Sequence, residues 1–523
     1  MKKVKLIFAT MLALCFCFVM VACSDDDNDV TEIFHVEGTE FALSNEATTG
    51  TFSVTASSKP LVVVRDKDDA GKKVDVSWLT LTEGSTEGNV YNYSFAVSTN
   101  KKDDSRSLLI KVTQGTNMKE ISITQAGDPL VVPEGEMAHN AKELASMMYA
   151  GINLGNLLEA PSGEGSWRND GKISEEYIKS LKNAGFNTVR IPCAWAAHFT
   201  HRSTDPAYTI DTKWLHRVKK VISWCVQNDM YVILNCHYDK DGDTEKDGGW
   251  LEDHIFDDLL EPSIIARQKA IWTQVASYMK DFDEHLLFAA CNEPGMNETS
   301  GKSDMWKDKY AVERVVRYEQ TMIDAVRATG GNNASRTIIV QGLGADISNT
   351  CTYMDNPDET EVATFPTDKV PDRLMVEVHF YEPYQFCLLD KDGNDAWSKM
   401  YYYWGKDNKL AGSNRNTPDN YAEAWVDAQM AKMKAKFVDK GIPVLLGEYA
   451  ATFRTLGEGE NQELHDKSVA YYDEYVTKVA KDNGCVPCYW ETGDVIDCTN
   501  GVVKKQYIFD AIMKGASQGK YPW

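Results

Sequence analysis

Eight short apolar runs recur through residues 137–523: YAGINLG, NTVRIP, YVILNCH, LLFAACNEP, TIIVQGLG, LMVEVHFY, PVLLGEY and VPCYW. Each has the length of a strand. Between most of them lie stretches such as TKWLHRVKKVISWCVQND and SIIARQKAIWTQVASYMKD, whose apolar residues fall three and four apart, as on one face of a helix. The stretch before the eighth run, HDKSVAYYDEYVTKVAKDNG, ends on a glycine suited to a helix cap. Eight consecutive strand–helix units predict an α/β fold, a (β/α)8 TIM barrel with enlarged loops. A doubly wound open sheet is the competing solution, but no G-x-G-x-x-G follows the first run.

A barrel of this type gathers its chemistry at the C-terminal ends of its strands. There the runs place, in order, Asn153, Arg190, Asn235 with His237, Asn292 with Glu293, His379 with Tyr381, Glu448 and Trp490. Charged groups converging on one mouth are costly to desolvate unless they are paired, so the set reads as functional rather than as packing. Two carboxylates across the mouth suit cleavage of a glycosidic bond. One is protonated and delivers its proton to the leaving oxygen; the other is ionised and attacks the anomeric carbon or activates water. Arg190 is the cation expected to keep Glu448 ionised, and Tyr381 can donate a hydrogen bond to the same carboxylate. Asn153 is open to two readings, a turn former or a ligand contact. Glu298, farther along the loop after Glu293, is expected to be solvated.

The segments GINLGN, GFNTVRIP, VILNCHYD, FAACNEP, EVHFY, LLGEY and PCYW, in that order, resemble glycoside hydrolase family 5 over residues 149–516. The resemblance implies a retaining enzyme with Glu293 as acid/base and Glu448 as nucleophile. It implies that Asn292 contacts the sugar 2-hydroxyl, that Arg190 and Tyr381 orient the nucleophile, and that His237 and His379 hold sugar and acid/base. Trp490 would stack under the ring at the cleavage point. Tyr238 stands where many relatives have a second histidine, which leaves open the subsite it lines. Trp195, Trp250 and the segment Trp397–Gly405 (WSKMYYYWG) fall in or near catalytic-face loops and suit an open cleft gripping a polymer. The overall likeness is to endo-β-1,4-glucanases, so cellulose-like, mixed-linkage and xyloglucan substrates come first, with mannan and xylan as alternatives. A glycan-binding barrel without activity would have lost one of the two glutamates. Hydrolysis by two glutamates requires no metal or cofactor.

Ahead of the barrel, residues 31–128 carry FSVTA, PLVVV, VDVSWLTLT, YNYSFAVST, SLLIKVT and EISITQAG. These alternating or β-branched runs predict a small all-β, immunoglobulin-like sandwich. The pattern resembles the BACON domain, which implies either a sugar-binding module or a spacer. DPLVVPEGE marks a linker over 129–136, leaving 137–523 as the catalytic domain. At the N-terminus, Lys2, Lys3 and Lys5 precede the apolar run LIFATMLALCFCFVMVA and then Cys23. This resembles a bacterial lipoprotein signal over 1–22 with lipidation of Cys23, followed by an acidic tether over 23–30. The expected setting is the outer membrane, facing outward, as a monomer tethered by lipid. A net charge of −23 argues against a nucleic-acid partner, whose phosphates need a basic patch.

Other signals fail on inspection. Nine cysteines follow Cys23 at irregular spacings, so no disulfide framework is legible. Cys485 and Cys488 form a C-x-x-C, but within an apolar run that suits buried strand thiols. GASQG (Gly515–Gly519) has no histidine after it to complete a triad. Asp239, Asp241 and Asp243 open like a calcium loop, yet Thr244 and Trp250 stand where glycine and the closing glutamate are needed.

Overall fold

The computed structural model describes residues 33–523 apart from 69, 101, 103–104, 128–129, 131, 134, 201–207, 239–260, 296–308 and 355–364. Cys23 with the rest of the N-terminal signal, Trp250, Glu298 and the aspartates at 239, 241 and 243 lie outside the described residues. The chain divides into two compact units, Met1–Leu130 and Val131–Trp523. Among the described residues no helix is long and apolar enough to cross a membrane.

The first unit is a sandwich of two four-stranded sheets. One has the order β1 (Phe34–Glu37), β3 (Thr48–Ala56), β6 (Val90–Val97), β5 (Leu79–Glu87). The other has the order β2 (Glu40–Leu43), β8 (Asn117–Gln125), β7 (Arg106–Gln114), β4 (Leu61–Val64). Alternation delivers Phe52, Val54, Phe95, Ile110, Val112, Ile121 and Ile123 to the core between them. The stretch VDVSW, expected as strand, is instead a turn. Asp75 accepts from both the amide and the hydroxyl of Ser77, and its carbonyl accepts from the Trp78 indole.

The second unit is a closed parallel barrel. Its strands are β9 (Gly151–Asn153), β10 (Thr188–Ile191), β11 (Tyr231–Asn235), β12 (Leu286–Ala289), β13 (Ile338–Gln341), β14 (Leu374–Phe380), β15 (Val444–Tyr449) and β16 (Cys485–Tyr489). Outward residues such as Val189, Val232, Phe288, Val340, Val376 and Leu446 pack under the surrounding helices. Inward residues Ile233, Leu287, Ala289, Ile339, Met375, Leu445, Val486 and Cys488 form a separate cluster, shared with Ala141, Leu144 and Ala145 of the helix α1 (Ala141–Met147). That apolar plug fills the lower barrel, so the inward positions above it are the ones free to carry polar groups. Cys485 and Cys488 are buried on β16, and burial pushes both thiols up, as expected of packing residues. Gly515–Gln518 of GASQG closes the last helix (Gln506–Gln518), with no strand-to-helix elbow.

The strand β15 departs from regularity. Val378 and His379, adjacent on β14, pair with Leu446 and Glu448, skipping Gly447. The ladder to β16 slips between Leu446 and Tyr449 as well. One extra residue on β15 therefore bulges at Gly447, a device that re-aims the side chain that follows.

Candidate active site

Above the apolar plug the inward positions turn polar. The centre is Arg190 on β10, fully buried, whose guanidinium reaches three other strands and the segment just after β12. Its Nη1 donates to Glu448 Oε1 at 2.8 Å and to Asn153 Oδ1 at 2.9 Å, and its Nη2 donates to Asn292 Oδ1 at 2.8 Å. Its Nε lies 2.7 Å from Glu377 Oε1 as an ion pair without hydrogen-bond alignment. The second oxygen of Glu448 accepts from the Tyr381 hydroxyl at 2.8 Å. Glu293 Oε1 meets His379 Nδ1 at 2.7 Å, and the same nitrogen lies 3.7 Å from Glu448 Oε2. One oxygen of Glu293, one of Glu448 and a His379 nitrogen all fall within 4.8 Å of one another.

The electrostatics follow from burial opposed by pairing. Burial pushes the Glu448 carboxyl above its ordinary range, while His379 and Arg190 pull it back. The predicted Arg190 contact is present, but desolvation outweighs it. Burial disfavours the His379 imidazolium, yet Glu448, Glu293 and Glu377 overcome that and push it up to about 9. His237 behaves oppositely. Burial, then the Arg190 and His379 cations, hold it well below its usual range, as a neutral imidazole. It stacks on Trp490 with ring centroids 5.8 Å apart and planes 10° apart, and its Nδ1 lies 3.3 Å from Asn235 Nδ2.

Among the described residues, Glu293, His379 and Glu448 are the ones whose donor atoms could converge on a metal ion. Here, however, Arg190 and Tyr381 occupy the Glu448 oxygens, and both His379 nitrogens face carboxylates. The chemistry of the donor set is that of a hydrogen-bonded ion cluster. Beside the end of β15 lies a cavity of about 270 Å³, lined among others by Tyr381, Leu388, Thr452, Phe453, Trp490 and Asp494.

Some expectations are corrected. Asn153 is neither a turn former nor exposed to a ligand. It is fully buried, and its amide donates to the carbonyls of Gly447, Cys488 and Tyr489 while its oxygen accepts from Arg190. Trp195 is also fully buried and donates to the Asn235 carbonyl, so it packs beneath the mouth instead of lining it. Within 397–405, Trp397 is 65% exposed whereas Tyr403 and Trp404 are buried. Three buried polar residues lie outside the strand-end pattern. Glu377 and Gln341 lie buried below the glutamates, and Glu159, after β9, is pushed up to about 7 by burial while accepting from the amides of Asn156 and Leu157. Glu377 was detectable in principle, as a lone acid at an inward position of LMVEVHF.

Residues 150–495 match the cellulase model of glycosyl hydrolase family 5. The chain belongs to that family. Residues 68–126 match BACON, described as a putative N-terminal binding domain. Among curated proteins, a xyloglucan-specific endo-β-1,4-glucanase of Bacteroides ovatus is 29% identical over 459 residues, covering 84% of each chain. An endoglucanase A of Paenibacillus barcinonensis is 30% identical over 389 residues, covering 72% of this chain and 90% of that one. Among solved structures, a family 5 xyloglucan-specific β-1,4-glucanase from a ruminal metagenomic library superposes with a TM-score of 0.64 at 35% identity, over 73% of this chain and 98% of the other. As a family 5 member, this protein is a glycoside hydrolase.

Proposed function

We propose that the protein hydrolyses β-1,4-linked glucans internally, xyloglucan among them, with retention at the anomeric carbon. The observation that carries the mechanism is the proximity of Glu293 and Glu448, with oxygens inside 4.8 Å of each other and different partners on each. Retaining pairs stand ~5–5.5 Å apart, whereas inverting pairs need about 6.5 Å or more to admit a water. In the first step Glu448 attacks the anomeric carbon. The glycosidic bond breaks toward its oxygen, which takes the proton of Glu293. In the second, Glu293 takes a proton from water, the hydroxyl bonds to the anomeric carbon, and Glu448 leaves as carboxylate. Tyr381 and Arg190 orient the nucleophile, His379 holds Glu293, and Asn292 stands beside them to meet the 2-hydroxyl. The Trp490 face, backed by His237, supports the ring.

The glucan assignment is supported by the names of the relatives, xyloglucan-specific and broader endoglucanases alike. A panel of barley glucan, xyloglucan, glucomannan, galactomannan and xylan, with product lengths measured, tests it. Fastest release of oligosaccharides from a glucan backbone is expected; preference for mannan or xylan overturns the assignment. NMR of the first-formed anomer tests the mechanism, and inversion overturns it. The N-terminal sequence further supports export as an outer-membrane lipoprotein anchored at Cys23, facing outward and monomeric. Fatty-acid labelling that survives in Cys23→Ala would refute the anchor, and light scattering of the soluble form checks the monomer.

A further inference from the structure

The two glutamates rest on a third carboxylate to which the mechanism above gives no task. Glu377 is fully buried on β14, two residues before His379 on the same inward face. Its Oε1 lies 3.3 Å from His379 Nε2 and 2.7 Å from Arg190 Nε. Its Oε2 accepts from Gln341 Nε2 at 2.7 Å. Gln341 in turn accepts the amide of Cys291 at 2.8 Å, one peptide before Asn292 and Glu293, and its own amide donates to Glu319 at 2.7 Å. Gly447 has no side chain where a Cβ would collide with the Glu377 carboxylate, so β15 comes down directly on this group.

His379 thus bridges two acids, Glu293 at Nδ1 and Glu377 at Nε2. Only a ring protonated on both nitrogens donates to both. The other charged or titratable groups facing it are Glu448 from β15, Arg190 from β10 and, farther off, His237 after β11; Tyr381, just past the end of its own strand, bonds to the Glu448 oxygen that faces the ring. Of the three carboxylates, Glu377 alone is wholly closed to solvent, at 0% side-chain exposure against 16% for Glu293 and 6% for Glu448.

We propose that Glu377 is a positioning residue for hydrolysis: seated on Gln341, it fixes His379 as a doubly protonated ring aimed at Glu293 and shares Arg190 with the nucleophile. The proposal rests on the assignment of Glu293 as acid/base, and its test separates the two. In labelled enzyme without substrate, the His379 ring, assigned by its loss in His379→Asn, is titrated by NMR. In the wild type it stays cationic through neutral pH, consistent with a value of about 9. In Glu377→Gln, nearly isosteric and able to keep a Gln341 contact, the titration moves down by one pH unit or more. With substrate, kcat falls roughly tenfold while KM holds, because no sugar contact is lost. If Glu377→Gln does not fold, Glu377→Asp retains the charge Arg190 requires and shows the same downward move at smaller size. An unchanged His379 titration in the variant that folds overturns the proposal, as does a loss confined to KM. Near-normal activity of Glu293→Gln would sink the acid/base assignment instead, leaving the titration result standing.

Discussion

The sandwich and the barrel bury polar groups in opposite ways. Among the described residues of the sandwich, the buried polar side chains are Asn100, Gln114 and Gln125, all uncharged. Gln125 serves only main-chain carbonyls and Arg106, which is what stitching sheet ends together requires. The barrel buries Glu159, Arg190, Glu319, Arg336, Glu377 and Glu448, among others. A protein gains no stability by burying charge that apolar packing could replace. The barrel's excess therefore points to something other than packing, although not everywhere. Arg336 spends its donors on the carbonyls of Phe282, Asp283 and Leu286 and on Asn333, a purely architectural use. What marks the mouth is that both signs of charge converge there and that Glu293 keeps part of its side chain, 16%, open to solvent.

The comparison breaks most visibly at the glutamates. Glu448→Ala and Glu293→Ala should each lower kcat on soluble glucan by roughly 10²–10⁴-fold or more, with the melting temperature nearly unchanged. Near-normal turnover in either would mean the buried charge there is architectural too. Next in size, Ile110→Asp places an unpaired acid in the sandwich core and should cost several kcal/mol (roughly 4 or more). Calorimetry should show the sandwich transition gone while hydrolysis of soluble glucan persists; loss of both would show that the units fold as one. Arg336→Leu strips donors from three carbonyls and should destabilise the barrel by about 3 kcal/mol. Specific activity of the folded fraction should stay level, and a selective fall in kcat would erase the distinction drawn for this arginine. The smallest effect belongs to Tyr381→Phe, about tenfold in kcat. Its hydrogen bond favours ionised Glu448, so removing it raises the pH at which the nucleophile ionises. The acidic limb of the activity profile should move to higher pH; a shift the other way contradicts the assigned direction.

The sequence carried the barrel and its mouth with little loss, because strand ends in a parallel barrel are marked by where apolar runs stop. It was weaker wherever a residue's direction mattered more than its place. Trp195 follows a strand end and looks like a cleft aromatic, yet the chain folds it under the mouth. VDVSW alternates like a strand, but the Asp75–Ser77 hydrogen bonds curl it into a turn. The four-residue strands β1 and β2 were too short to show a period. Glu377 carries no strand-end mark, because the supporting layer lies one alternation below the residues at which the runs stop.

The bulge at Gly447 gives the proposed nucleophile an address that depends on counting. Up to Leu446, odd-numbered positions of β15 look into the barrel and even-numbered ones look out. With the extra residue, Glu448 comes level with His379 and turns inward although its number is even. Removing Gly447 would leave every later residue in the chain chemically intact. It would also make Glu448 the direct successor of Leu446, still opposite His379 and still inward, but without the bulge that aims its carboxylate. The aim of the nucleophile is thus stored in one unpaired residue of an otherwise regular strand.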